Sequence, residues 1–139
     1  MKFLRPLLIL GSLAAAIGQS ASKALVTNLD TARWAHEKSD PAGSESVLLR
    51  EDPNNGGMEI LVRFPSGHVI APHSHESNER IIVLEGQLVL RQDSGDTLLK
   101  PGGFAFLPAR EVQRLSCSSN TRCTLYISWD GNPASHAVK

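Results

Sequence analysis

From residue 46 onward the sequence is a train of short alternating runs, each closed by a turn signal, and that pattern admits few folds. Met58, Ile60, Val62 and Phe64 alternate with Glu59, Leu61 and Arg63, the period of a strand with one buried face. Comparable runs occupy 46–51, 68–75, 79–84, 87–91, 96–100, 104–107, 112–117 and 123–129. They are broken by Asp52-Pro53-Asn54-Asn55-Gly56-Gly57, Pro65-Ser66-Gly67, Glu85-Gly86, Asp93-Ser94-Gly95 and Pro101-Gly102-Gly103. Gly supplies positive φ in such turns, Pro presets φ near its turn value, and Asn and Asp bond their own backbone. No stretch of the chain after its N-terminal apolar run sustains a 3.6-residue apolar stripe, so helices are not expected. Short strands at this spacing read as an antiparallel sandwich or barrel. A length of 139 residues with 41% hydrophobic content suits one domain.

The first 22 residues fall outside that pattern. Lys2 and Arg5 open the chain, an apolar run follows from Pro6 to about Ile17, and small residues close it at Gly18-Gln19-Ser20-Ala21-Ser22. A positive start, an apolar middle and a small-residue exit describe a secretory signal peptide. The run is shorter than the roughly 20 residues of a membrane span. The expectation is a signal over 1–22, cleaved between Gly18 and Ala24, and a domain over 23–139. The product is periplasmic or secreted, with no membrane attachment after cleavage. Loss of Lys2 and Arg5 leaves 12 basic residues against 14 acidic. With no basic run and a formal charge of zero, nucleic acid is not an expected partner. Aromatics at 5% offer no stacking platform.

Export bears on the two cysteines. Cys117 and Cys123 flank Ser118-Ser119-Asn120-Thr121-Arg122, a polar turn between two apolar runs. Cys117 shares parity with Gln113 and Leu115, and Cys123 with Leu125 and Ile127, so both sulfurs can face one side of a hairpin. A disulfide is the favoured reading in an oxidising compartment. Two free thiols are the alternative.

One cluster carries chemistry. His73 and His75, two apart on a strand, point to the same face, and Glu79 opens the next strand. Two imidazoles and a carboxylate on one side of an ion form the facial triad of non-haem iron sites, with positions left open for substrate or oxygen. Ile81 and Val83 would surround Glu79 with apolar side chains, raising its pKa unless a cation compensates. Glu76 belongs to the intervening loop. His68 has the opposite parity and is expected to face outward. His136 lies beyond Pro133 and reaches the site only if the tail folds back over it. His36 is expected to be solvated, and Trp34 to pack on the domain.

These residues resemble the first motif of the cupin superfamily: Gly, five residues, His-x-His, three or four residues, Glu, six residues, Gly. Gly67, His73, His75, Glu79 and Gly86 match it throughout. The resemblance covers about 41–133, including Gly131-Asn132-Pro133 after the last run, and is to small single-domain cupins. It implies an all-β double-stranded β-helix, a jelly-roll barrel with the site inside. The second motif, Gly, five residues, Pro-x-Gly, two residues, His, three residues, Asn, is matched by Gly102 and Pro108 only. Arg110 stands for its Gly, Gln113 for its His and Cys117 for its Asn. The resemblance therefore places Gln113 at the usual fourth metal ligand. A neutral amide oxygen suits Fe²⁺ or Mn²⁺ better than Zn²⁺ or Cu²⁺; Zn²⁺, Ni²⁺ and Cu²⁺ stay open.

Two functions are consistent with these residues. One is a metal-dependent enzyme acting on a small organic acid or oxygenated metabolite, of dioxygenase, decarboxylase, isomerase or lyase type. No second base stands out, since Glu85 and Glu111 fall near turns and Arg80 points outward. Whether Arg110 or Arg114 pairs a substrate carboxylate is open. The other is a non-catalytic module that binds or senses a metal or small ligand. A homodimer is open for either.

Overall fold

A computed structural model describes residues 23–38 and 40–138, so the expected signal peptide lies outside the described residues. The nine runs read above all form strands, with ends moved by at most one residue: β1 (Glu45–Glu51), β2 (Met58–Phe64), β3 (Val69–His75), β4 (Glu79–Glu85), β5 (Leu88–Gln92), β6 (Gly95–Leu99), β7 (Phe104–Leu107), β8 (Gln113–Cys117) and β9 (Cys123–Trp129). A tenth, β10 (Ser135–Ala137), was not expected. Its three residues are all exposed. With no buried face, the segment has no apolar alternation to announce it.

The strands form two antiparallel sheets, in the orders β1-β2-β9-β4-β7 and β10-β3-β8-β5-β6. They enclose one core, as a jelly-roll barrel requires. Val62, Ile81, Val83, Leu88, Leu115 and Leu125 are among the side chains packed there, each at most 3% exposed. Each such burial is worth about 1.5–3 kcal/mol. The alternate positions face out and pair across strands, as Arg63 does with Glu45 at 2.6 Å. The segment before β1 lies against the first sheet through an Ala35–Ser46 bridge. There Trp34 packs under the Arg63 guanidinium, 4.4 Å from the ring centre.

Two local features set the direction of the site residues. In β3 the register slips between Ile70 and His73, where Pro72 has no N–H to give the ladder. Ile70 pairs with Leu115 and His73 with Gln113, so residues of opposite parity face inward on either side of the slip. The outward placement expected for His68 therefore fails. Its ring stacks on Phe64 at 5.2 Å, and its Nε2 is buried. The parity count assumed an unbroken strand. The second feature is Arg110, the one non-glycine residue with positive φ (68°) among the described residues. It keeps the left-handed turn at the position of the motif's glycine.

Cys117 and Cys123 are joined, with Cα atoms 5.7 Å apart. β8 and β9 lie in different sheets, so the disulfide does not staple the expected hairpin but ties one sheet to the other across the β8–β9 connection. It is compatible with an oxidising compartment. Among the described residues no helix is long and apolar enough to cross a membrane.

Candidate metal centre

β3 and β8 belong to one sheet and β4 and β9 to the other, and their ends meet at one mouth of the barrel. His73 and His75 close β3, Gln113 opens β8, Glu79 opens β4 and Trp129 closes β9. Cross-strand register fixes their adjacency: His73 lies opposite Gln113, and Glu79 opposite Trp129. The corner Glu76-Ser77-Asn78 carries the chain from one sheet to the other, which is why the carboxylate faces the imidazoles across the barrel.

Each histidine is held through one ring nitrogen. The His73 Nδ1 bonds the Ala71 carbonyl and the His75 Nδ1 the Pro133 carbonyl, both at 2.8 Å. A carbonyl only accepts, so these bonds assign the proton to Nδ1 and leave Nε2 as a lone-pair donor to an ion. The rings stand edge to face with centroids 5.0 Å apart. The His75 Nε2 lies 3.7 Å from the Glu79 Oε2. Burial holds the His75 imidazole below its ordinary pKa.

Glu79 is 2% exposed. Its surroundings disfavour the charged form, and burial pushes its pKa up to about 7 against the pull of the Gln113 hydrogen bond and the nearby His73. The Gln113 Nε2 donates to the Glu79 Oε2. Its Oε1 is buried and has no hydrogen-bond partner among the described residues. As the side chains stand, no group of three or more His, Cys, Asp or Glu among the described residues closes into a cation-holding cluster. The strands bring His73, His75, Glu79 and Gln113 to one place, and Glu79 is turned onto Gln113.

Sequence reasoning missed Trp129. Its ring lies 5.3 Å from that of His75, and its Nε1 is buried without a partner among the described residues. The signal was available, because Trp129 shares inward parity with Leu125 and Ile127. The Pro133 carbonyl was beyond reach of any side-chain pattern.

The remaining charged groups sort by position. Arg110 sits at this mouth, its backbone N–H bonding the His75 carbonyl at 2.8 Å and its guanidinium 3.9 Å from Glu76. Arg114 lines a shallow groove with Arg91 on the outer side of the second sheet, and does not reach the mouth. Arg80 points outward as expected and pairs with Asp130 beside a groove of about 300 Å³ on the first sheet's outer face. Glu85 bonds Thr124, and Glu111 bonds Gln92. His36 is exposed, and its ring bonds the Ser44 carbonyl. The tail does fold back, as β10 alongside β3, but His136 closes on Glu76 rather than entering the site.

The Cupin domain family model matches residues 60–129, half of the chain and the stretch that holds all four site residues. No curated protein matches the sequence. Solved structures share the fold. The polyketide cyclase RemF from Streptomyces resistomycificus superposes with a TM-score of 0.67 at 20% identity, over 84% of this chain and 87% of that one. KdgF from Halomonas sp. gives 0.62 at 19% identity, over 78% and 94%. An oxalate oxidase in complex with the substrate analogue glycolate gives 0.63 at 19% identity, over 86% of this chain and 66% of that one. Identities this low speak to fold alone. The family match, the two facing antiparallel sheets and the glycine-framed His-x-His…Glu corner agree: the chain belongs to the cupin family.

Proposed function

We propose that this cupin is exported and binds a divalent cation through His73, His75 and Glu79, with Gln113 as a fourth donor. With that ion it acts as an enzyme on a small organic acid or related oxygenated metabolite. The observation that carries the reading is the pinning of both imidazoles by backbone carbonyls, which leaves their Nε2 atoms to a ligand beside a buried carboxylate. Outer hydrogen bonds of this kind are the usual support of metal-bound histidine.

The donor set fits a cation in two further respects. A carboxyl with a pKa of about 7 lacks a compensating positive charge, and an ion would supply it. The Gln113 Oε1, an acceptor without a partner among the described residues, is a hard oxygen donor that favours Fe²⁺ or Mn²⁺. When bound, such an ion would act as a Lewis acid toward a substrate oxygen. The protein's own part is to hold both imidazoles in one tautomer, keep Glu79 out of bulk water and wall the site with Trp129. Arg110, 82% exposed at the same mouth, is placed to meet a substrate carboxylate. An acid substrate is also in keeping with the glycolate-bound oxalate oxidase that shares the fold.

Metal analysis of protein purified without chelators tests the binding. Trp129 offers a direct readout: in a Trp34→Phe background, Mn²⁺ should quench the remaining indole, and His73→Ala or His75→Ala should abolish the effect. Wild-type protein that neither carries nor takes up a divalent ion refutes the proposal. Turnover of a carboxylic-acid panel by the loaded protein separates the enzyme from a module that only holds metal. N-terminal sequencing of exported protein tests the signal, with a start between residues 19 and 24 expected.

A further inference from the structure

Residues 131–138 cross the mouth of the barrel and return along β3. The path is tied almost entirely to the β3–β4 corner. The Ser77 hydroxyl donates to the Asn132 carbonyl at 2.8 Å, and the Glu76 N–H to the Ala134 carbonyl at 3.1 Å. The Asn132 side chain accepts from the Ala134 N–H at 2.9 Å, which shapes the bend between them. Ser135, His136 and Ala137 pair with His75, Ser74 and His73, and the Val138 N–H reaches the Pro72 carbonyl at 3.1 Å. His136 closes on the Glu76 carboxylate. Between these ties stands the Pro133 carbonyl, which receives the His75 Nδ1 proton at 2.8 Å.

Residues 134–138 are all exposed. The segment thus gains little from apolar burial and is held by hydrogen bonds and the His136–Glu76 contact, the marks of an element that opens locally. A β-edge of three residues would have little reason to be ordered for its own sake. Its pairing nonetheless holds in place the preceding Pro133 carbonyl, which accepts the hydrogen bond that orients the His75 imidazole. Without that carbonyl the ring would be free to rotate or to carry its proton on Nε2, the atom that faces Glu79.

We infer that residues 131–138 form a strap, latched by His136 on Glu76, that positions the His75 imidazole, and that cation binding and strap docking reinforce one another. The coupling rests on the proposed metal reading; the positioning does not. His136 is on this account a positioning residue, acting through the strap rather than touching the ion. Coupling of this kind is reciprocal. A docked strap presents the Nε2 lone pair to the ion, and a bound ion, by fixing the ring, holds the Pro133 carbonyl and the strand behind it.

Two variants test this, a chain ending at Ala134, which lacks β10 but keeps Pro133, and full-length His136→Ala. Both leave the core untouched, and the point variant guards against a truncation that fails to fold. In metal-free protein, long-range ¹H–¹⁵N correlation reads the His75 tautomer, assigned by its absence in His75→Ala. The full chain should show the Nδ1–H form, and both variants a mixture. Mn²⁺ affinity, followed by Trp129 quenching, should fall by about tenfold or more in the variants, the range for losing an outer-shell partner. In the full chain Mn²⁺ should slow amide exchange at Glu76 and Val138. A His75 tautomer unchanged in both variants overturns the positioning role, even if Mn²⁺ binds. A full chain that shows the tautomer shift on truncation but takes up no Mn²⁺ keeps the strap and refutes the coupling together with the metal reading.

Discussion

Glu79→Gln should stabilise the metal-free protein at pH 8 while destroying its affinity for a cation. In the folded chain the carboxyl titrates near 7, against an ordinary 4.5. A raised carboxyl pKa means that the folded state holds the proton more tightly than the unfolded state. The associated stability is fully present below pH 4.5 and is lost as pH rises through 7. At about 1.4 kcal/mol per pH unit, the gap corresponds to a loss of about 3 kcal/mol between those limits. Gln at this position does not titrate. Its carbonyl oxygen can take the place of the Glu79 Oε2 that accepts from Gln113. The assay is urea unfolding of chelator-treated wild type and variant at pH 5, 6, 7 and 8. His75, held below its ordinary pKa by burial, contributes a slope of opposite sign, which the comparison of the two proteins largely removes. The stability of the wild type relative to the variant should fall by about 2.5 kcal/mol from pH 5 to pH 8. Added Mn²⁺ should restore the wild type alone. Equal slopes in the two proteins would refute the claim that the carboxyl lacks a compensating charge.

Three further outcomes can be checked by the same methods. Gly86→Ala should cost about 3 kcal/mol or more, because its Cβ would meet the Arg122 carbonyl oxygen at 2.6 Å at a φ of 79°. Gly67→Ala, at φ 77° with open space around it, should cost only about 1 kcal/mol in the same urea series, and equal losses would refute the steric argument. Replacing Cys117 and Cys123 together by Ala should lower stability by about 2 kcal/mol on loop entropy alone, given a separation of six residues; a smaller loss would mean the β8–β9 connection is ordered without its bond. Gln113→His should tighten Mn²⁺ or Zn²⁺ binding about tenfold in titration calorimetry, an unchanged affinity placing residue 113 outside the ligand shell.

Most of the nine longer strands were legible because they bury one face, and burial writes a period of two into the sequence; β6, exposed over Gly95–Leu98, was legible only through the turn signals that bound it. Where neither burial nor turn signals mark a segment, the sequence is silent. Ser135-His136-Ala137 pairs without burying anything, and pairing by backbone leaves no mark on side-chain choice. His68 was misplaced because parity holds only along an unbroken ladder, and Pro72 interrupts this one. The His73–His75 pair survived the same count because both residues lie beyond the slip. The Gln113–Glu79 hydrogen bond joins two sheets across the barrel, and only the motif resemblance, not local pattern, put those residues in one place.

The erosion of the second motif divides along a physical line. Its backbone requirements are kept: Gly102 has φ 85°, and Arg110 takes φ 68° although it is not glycine. A left-handed conformation costs a residue with a Cβ about 1–2 kcal/mol, and it persists where surrounding bonds over-determine it. Here the bond is from the Arg110 N–H to the His75 carbonyl, so the turn that tolerates the strain also braces a proposed ligand. What has changed is the chemistry hung on that frame, a guanidinium at the mouth and an amide inside it. The amide at position 113 donates to Glu79 through its Nε2, keeping the buried carboxyl hydrogen-bonded, and at the same time presents its Oε1 as a hard oxygen donor, which an imidazole does not have. Such a site favours an ion that accepts a hard oxygen and gains more from the carboxylate than from a third nitrogen. The barrel is therefore ordinary for its family, and its individuality lies in the exchange of one ligand nitrogen for an amide and one glycine for a cation.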